Sequence, residues 1–208
     1  MAGNDNSSEG VLDIPLFPLR TVLFPGGSMP LRIFEPRYLE MIGECLKTES
    51  PFGVCLIREG SETGKAPTFH KVGTLGSISY WQRLPNGMLG VTVRGERRFR
   101  ILTSRILSNQ LIKATVELLP AEHPSPIPPH CCHVPELLSH MLQQLGLPYN
   151  KPPFDYENAS WVGCRLAELL PLPLGQKQQL LQLTDPLQRL EQLRHLLEKL
   201  GIQRAGSE

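Results

Sequence analysis

The chain has 208 residues, of which 40% are hydrophobic and 20% charged, and its formal net charge is +1. This composition is typical of a globular protein, and it lacks the strong basic excess that most dedicated nucleic-acid binders carry. No apolar run approaches the roughly 18–20 residues that a membrane span needs, and residues 1–10 are polar, so we expect no membrane association and a disordered N-terminus rather than a signal peptide.

Residues 11–120 mostly follow the two-residue period of β-strands. Apolar residues alternate with others in the first two predicted strands: Leu12, Ile14 and Leu16, then Met29, Leu31 and Ile33. A helix is predicted to begin at Pro36, because proline is favoured at the first helical position and apolar residues follow it at helical spacing. A short apolar run over 52–57 predicts the next strand.

A long hairpin follows in the sequence. Residues 72–84 predict one strand, Asn86-Gly87 predicts a tight turn, and residues 89–101 predict the return strand. Gly95 interrupts the apolar face of the return strand, which indicates a β-bulge at this point. A last strand is predicted over 111–119.

After the proline-rich segment 120–135, the spacing of the apolar residues changes to the 3.6-residue period of α-helices. Four helices are predicted, at 135–145, 159–170, 176–183 and 186–200. Asp185 and Pro186 supply the cap and the first position of the fourth helix, and Gly201 ends it. We therefore expect five regions: a disordered start (1–10), a β-rich lobe (11–120), a linker (121–134), a helical lobe (135–201) and a disordered tail (202–208).

Four segments of this chain carry a recognisable pattern in a fixed order. They are Ile14-Pro15-Leu16-Phe17-Pro18-Leu19 with residues 22–38, Val72-Gly73-Thr74-Leu75-Gly76, Val93-Arg94-Gly95-Glu96-Arg97-Arg98-Phe99, and Arg165-Leu166-Ala167-Glu168-Leu169-Leu170. Together they resemble the N-terminal, substrate-binding domain of the Lon family of ATP-dependent proteases, over about residues 11–200. The resemblance implies an α+β fold, namely a PUA-like β pseudo-barrel lobe followed by a C-terminal helical bundle.

The resemblance also implies a function. In full-length Lon proteases this domain helps to capture unfolded or tagged proteins before the ATPase unfolds them. No stretch of the present chain resembles the ATPase module, and the serine–lysine protease dyad with its surrounding motif is missing. We therefore expect a free-standing, non-enzymatic module that binds proteins or unfolded polypeptide segments in protein quality control or the regulation of proteolysis.

Exposed apolar side chains near hairpin tips and strand ends are the predicted binding surface, because contiguous apolar surface marks protein-binding sites and methionine and aromatic residues suit varied partners. The candidates are Phe24, Met29, Trp81, Leu84 and Met88, with Arg98 as a polar contact. No catalytic residue, metal site or cofactor is predicted.

RNA binding is the main alternative, since PUA-like folds include RNA binders. A basic and aromatic surface is the feature that suggests it, formed by Arg94, Arg97, Arg98, Arg100, Phe99, Tyr80 and Trp81. Phe99, however, lies on the same face of its strand as the apolar residues, and Glu96 lies among the arginines. A solvated strand face therefore explains this pattern better, and nucleic acid is not the expected partner.

Histidines and cysteines cluster around the proline-rich segment, which raises the question of a metal site or an enzyme built on one. They are His123, His130, Cys131, Cys132, His133 and His140. Adjacent cysteines cannot easily bind one ion, and no C-x-x-C pair is present, so a solvated linker is the favoured interpretation. The five cysteines of the chain, an odd number, favour a reducing compartment, and we expect a cytoplasmic protein.

Overall fold

The computed structural model describes residues 10–202. Its seven strands are β1 (Val11–Leu19), β2 (Ser28–Ile33), β3 (Phe52–Glu59), β4 (Thr68–Phe69), β5 (Val72–Arg83), β6 (Leu89–Ile106) and β7 (Ile112–Leu118). Its five α-helices are α1 (Pro36–Thr48), α2 (Val134–Leu145), α3 (Ala159–Leu169), α4 (Leu174–Gln182) and α5 (Pro186–Lys199). The predicted α+β class is confirmed, with a β-sheet lobe followed by helices.

The strands form one sheet that closes on itself. The order is β1-β7-β6-β5-β3-β4, and an additional parallel pairing joins β1 to β3, with Leu16 opposite Gly53. Strand β2 pairs with β6 alongside this path, from Ser28 opposite Arg94 to Ile33 opposite Leu89. The closure removes most of the free sheet edge that an open sheet would present.

A bulge in β6 lies where the sequence predicts it. Between Thr74 and Gly76 of β5 lies one residue, whereas their partners on β6, Arg98 and Gly95, are separated by two. The extra residue of β6 bends the strand and increases its local twist. Phe99 and Ile101 are buried beyond the bulge, as Val91 and Val93 are before it.

The apolar core has a part inside the β lobe and a part between the sheet and the helices. Inside the β lobe, α1 packs its buried face, which includes Tyr38, Met41 and Ile42, against one half of the barrel. Between sheet and helices, Val22, Phe24 and Leu56 belong to the same cluster as the leucines of α2, α3 and α5. The two lobes therefore share a continuous apolar contact.

The proline-rich segment between the lobes is fixed to both of them. Residues 119–128 contain no helix and only an isolated bridge from Pro126 to Asn158. The Glu122 carboxylate in this segment lies 2.7 Å from the Arg98 guanidinium of β6 and 2.5 Å from that of Arg189 in α5. Within residues 10–202, no helix has the length and apolar character to cross a bilayer.

Candidate functional site

The far half of β5 is an open edge of the sheet. Strand β5 pairs with β3 from Thr74 to Gly76, and from Ser77 to Arg83 it pairs with β6 alone among residues 10–202. The opposite side of β6 is taken by β2 along this stretch. Because half of the backbone groups of an edge strand point outward, the segment from Ser77 to Arg83 has the geometry that accepts an extended chain as an added strand.

Two large aromatic side chains lie on this edge strand. Tyr80 is 56% exposed and Trp81 is 57% exposed. As neighbours along a strand they point to opposite faces, so both faces of the strand end carry an exposed ring. The register shifts between Ile78 and Tyr80, where the Ser79 hydroxyl donates to the Thr92 carbonyl at 3.0 Å. This second irregularity bends the edge away from a flat sheet.

A groove runs between this edge and the C-terminal end of α1. Its volume is about 380 Å³, and its two walls are formed by Cys45, Leu46, Glu49 and Ser50 on one side and by residues 77–81 on the other. Leu46 and Ile78 are half-buried and also contact the core of the β lobe. The groove is large enough for an apolar side chain, and it lies directly beside the open strand edge.

Three of the predicted site residues lie on this hairpin. Trp81 is exposed, while Leu84 and Met88 flank the turn and are half-buried. The backbone N–H of Leu84 donates to the Met88 carbonyl at 2.8 Å, so these two residues hold the hairpin tip together. Met29 lies across β6, opposite Val93, where it is half-buried against the core. Their role in partner binding stays a prediction.

The expectation that Phe24 is exposed is wrong. Its side chain is fully buried in the cluster between the sheet and the helices. The backbone around it is fixed as well, because Gly27 donates to the Phe24 carbonyl at 3.0 Å and Gly26 donates to the Gly95 carbonyl at 2.8 Å. Phe24 therefore joins the lobes and is not available to a partner.

Arg98 is not on the surface either. It is only 4% exposed, it donates to the backbone carbonyls of Leu181 and Leu183, and its guanidinium pairs with Glu122. The helical lobe covers this face of β6, which the polar character of Arg98 does not reveal. The alternative RNA surface loses Arg98 and also Phe99, which is fully buried.

The buried charges around Arg98 form a triad with Glu122 and Arg189. The Glu122 carboxylate accepts hydrogen bonds from both guanidiniums and from the Ser160 hydroxyl. Burial on its own raises the pKa of Glu122, but hydrogen bonds and charge from Arg189, with help from Ser160 and Arg98, hold it below its ordinary value. This triad is structural, since it links β6, the proline-rich segment and α5.

Sequence reasoning missed the wall that α1 contributes to the groove. Leu46, Glu49 and Ser50 are about thirty residues from β5 in sequence, and no local pattern indicates that they meet it. A second groove of about 340 Å³ lies beside β2, and Phe34, 58% exposed, is at its rim. The sequence does not predict that Phe34 is exposed, because Phe34 directly follows the alternating apolar residues of β2 and no pattern of polar residues sets it apart from them.

Comparison with known proteins identifies the family. The profile of the ATP-dependent protease La (LON) substrate-binding domain matches residues 13–199. A Lon protease of Flavobacterium johnsoniae is 27% identical over 95% of this chain, and one of Cytophaga hutchinsonii is 28% identical over 53%. The chain covers only 26% and 14% of these two relatives, so it spans only a part of their length.

Solved structures agree with this assignment. The crystal structure of a Lon N-terminal domain protein from Xanthomonas campestris is 38% identical, with a TM-score of 0.73, and the match covers 88% of this chain and 98% of that one. The N-terminal domain of a Mycobacterium avium complex Lon protease, 18% identical, has the same fold with a TM-score of 0.63 over 90% of this chain and 98% of that one. This chain therefore belongs to the family of the Lon substrate-binding domain.

Proposed function

We propose that this protein is a non-catalytic binding module for extended polypeptide segments, acting in the cytosol in protein quality control or in the regulation of proteolysis. The observation that carries the proposal is the open edge of β5 from Ser77 to Arg83, which lies beside a groove and bears the exposed rings of Tyr80 and Trp81. Membership of a substrate-binding domain family supports the same conclusion.

Binding would proceed by strand addition. An extended segment pairs its backbone with the outer edge of β5, which gives affinity independent of sequence. Alternate side chains of the segment then point into the groove, against Leu46 and Ile78, or lie against the Trp81 ring. Such a site selects unfolded segments, because folded proteins have already paired their backbone groups.

The charge beside the groove favours particular segments. The C-terminal end of α1 forms one wall and carries the negative end of the helix dipole, which Lys47 in the last turn partly offsets. Glu49, at the end of this helix, is exposed and adds a full negative charge. Apolar segments flanked by lysine or arginine are therefore the preferred ligands.

The first test is the affinity of Trp81→Ala for a permanently unfolded polypeptide. Fluorescein-labelled, reduced and carboxymethylated α-lactalbumin is titrated with the protein, and fluorescence anisotropy is measured. We expect the wild type to bind it and the variant to bind about 30-fold more weakly, the equivalent of about 2 kcal/mol for an aromatic anchor. Folding should be unaffected, because the side chain is 57% exposed.

Phe34→Ala is the matched control, since Phe34 is an aromatic residue of equal exposure at the other groove. We expect its affinity to equal that of the wild type. Loss of affinity in this variant alone would contradict the site and assign binding to the groove beside β2. Absence of binding by the wild type would contradict the function, and steeply salt-dependent binding of labelled RNA instead would favour the RNA alternative.

A further inference from the structure

Three metal-ligand side chains meet where the helical lobe begins. The short 3₁₀-helix Pro129–Cys131 contains His130 and Cys131, and it contacts α5 at Glu191. His130 Nε2 lies 3.0 Å from Glu191 Oε2, and Cys131 Sγ lies 3.9 Å from the same oxygen. The three ligand atoms all lie within 4.8 Å of one another.

These distances are close to those of an occupied zinc site. Bonds of about 2.0–2.3 Å in a tetrahedral arrangement separate ligand atoms by roughly 3.3–3.7 Å, so shifts of a few tenths of an ångström to about one ångström suffice here. We propose that His130, Cys131 and Glu191 form a binding site for a zinc ion, with the fourth position open to solvent. Imidazole and thiolate donors favour zinc over magnesium or calcium.

The Glu191 carboxylate is oriented by its surroundings in the way that ligating carboxylates commonly are. Its Oε2 faces His130 and Cys131, while its Oε1 accepts from Arg194 Nη2 at 2.7 Å. Arg194 Nε also contacts both oxygens, at 3.2 and 3.1 Å. These contacts hold the carboxylate in place and leave Oε2 directed toward the other two ligands.

The positive charge of Arg194 opposes a cation, and its pairing with Glu198 offsets part of this cost.

In the metal-free protein the Cys131 thiol donates to Glu191 Oε2, whereas a metal ion binds the thiolate. Zinc binding therefore breaks the S–H bond of Cys131, forms a zinc–sulfur bond and releases one proton to solvent. The bound ion would tie the 3₁₀-helix to α5 and so stabilise the packing of the helical lobe.

Zinc titration of the untagged, metal-free protein tests the proposal. We expect one zinc ion per chain by calorimetry and a rise in the thermal unfolding temperature when zinc is added. His130→Ala should weaken zinc binding at least tenfold, and because the His130 side chain is 61% exposed the variant should fold normally. Glu191→Gln should weaken binding as well, since it replaces a carboxylate ligand by an amide.

Matched controls come from the adjacent residues Cys132 and His133, which are not part of the cluster. Cys132→Ser and His133→Asn should bind zinc as the wild type does. With cobalt in place of zinc, the thiolate charge-transfer absorption should vanish in Cys131→Ser and persist in Cys132→Ser. Equal zinc affinity in His130→Ala and wild type, no stoichiometric binding at all, or absorption that depends on Cys132 would overturn the proposal.

Discussion

Replacing Glu122 by glutamine should lower the free energy of unfolding by about 3 kcal/mol, as expected when a buried ion pair loses one partner. The substitution preserves the shape of the side chain but removes the negative charge shared by Arg98 and Arg189, whose side chains are 4% and 0% exposed. Two guanidiniums would then remain buried together without a counter-charge. For a chain of this size the unfolding temperature should fall by roughly 6–12 °C, measured by circular dichroism.

Glu117→Gln is the control for this substitution. Glu117 is exposed, and its carboxylate lies 4.0 Å from the exposed guanidinium of Arg100. Pairs of this kind contribute between nothing and about 1 kcal/mol, so the unfolding temperature of the control should be nearly that of the wild type. Equal stability of the two variants would show that the triad does not link the lobes.

The difference in the free energy of unfolding between the wild type and Glu122→Gln should also depend on pH. The folded-state pKa of Glu122 is lower than its ordinary value, so the folded protein binds this proton less readily than the unfolded chain does. The resulting stability is fully present above the unfolded-state pKa of a glutamate and is lost as the pH falls through the folded-state value. Urea unfolding of both proteins at neutral and acidic pH should show the difference shrinking on acidification, and a constant difference would refute this assignment.

The elements of this fold could be predicted because their local signals are strong. Asp185 caps α5 as expected, its carboxylate accepting from the Leu187 N–H at 2.9 Å, and Pro186 begins the helix. Alternation suits strands such as β7, in which every second residue is buried, whereas β3, buried at six successive positions, is predicted from its short apolar run. Gly95 marks the bulge. Helix α2 begins at Val134 and α4 at Leu174, one and two residues before the predicted positions, since neither helix has a side-chain cap.

The burial of particular side chains could not be predicted, because it depends on contacts that are distant in sequence. In the sequence Arg98 alternates with apolar residues and so belongs to the polar face of β6. The helical lobe covers Arg98, however, and the carbonyls that accept its hydrogen bonds, those of Leu181 and Leu183, are 83 and 85 residues away in sequence. Glu191 is likewise 60 residues from Cys131. A single sequence shows neither partner, so the triad and the proposed zinc site emerge only from the fold.

Gly95→Ala should be a second strongly destabilising substitution, by about 3 kcal/mol, at the upper end of what overpacking costs. A Cβ at this position would lie 2.1 Å from the Phe24 carbonyl oxygen, which is backbone and has little freedom to move. To remove this clash, Gly95 would have to move away from the segment 24–27, which would break two backbone hydrogen bonds. In one the Gly95 N–H donates to the Gly27 carbonyl, and in the other the Gly26 N–H donates to the Gly95 carbonyl. Urea unfolding at neutral pH measures the loss.

Gly43→Ala in α1 separates this clash from the general effect of replacing glycine. A Cβ at position 43 has no neighbour within 4 Å, and alanine in a helix interior is favoured over glycine by about 0.5–1 kcal/mol. The control should therefore gain stability while Gly95→Ala loses it. Because the Gly95 contact joins the bulge of β6 to the segment before β2, a Gly95→Ala protein as stable as the wild type would mean that these two parts of the barrel can separate without cost.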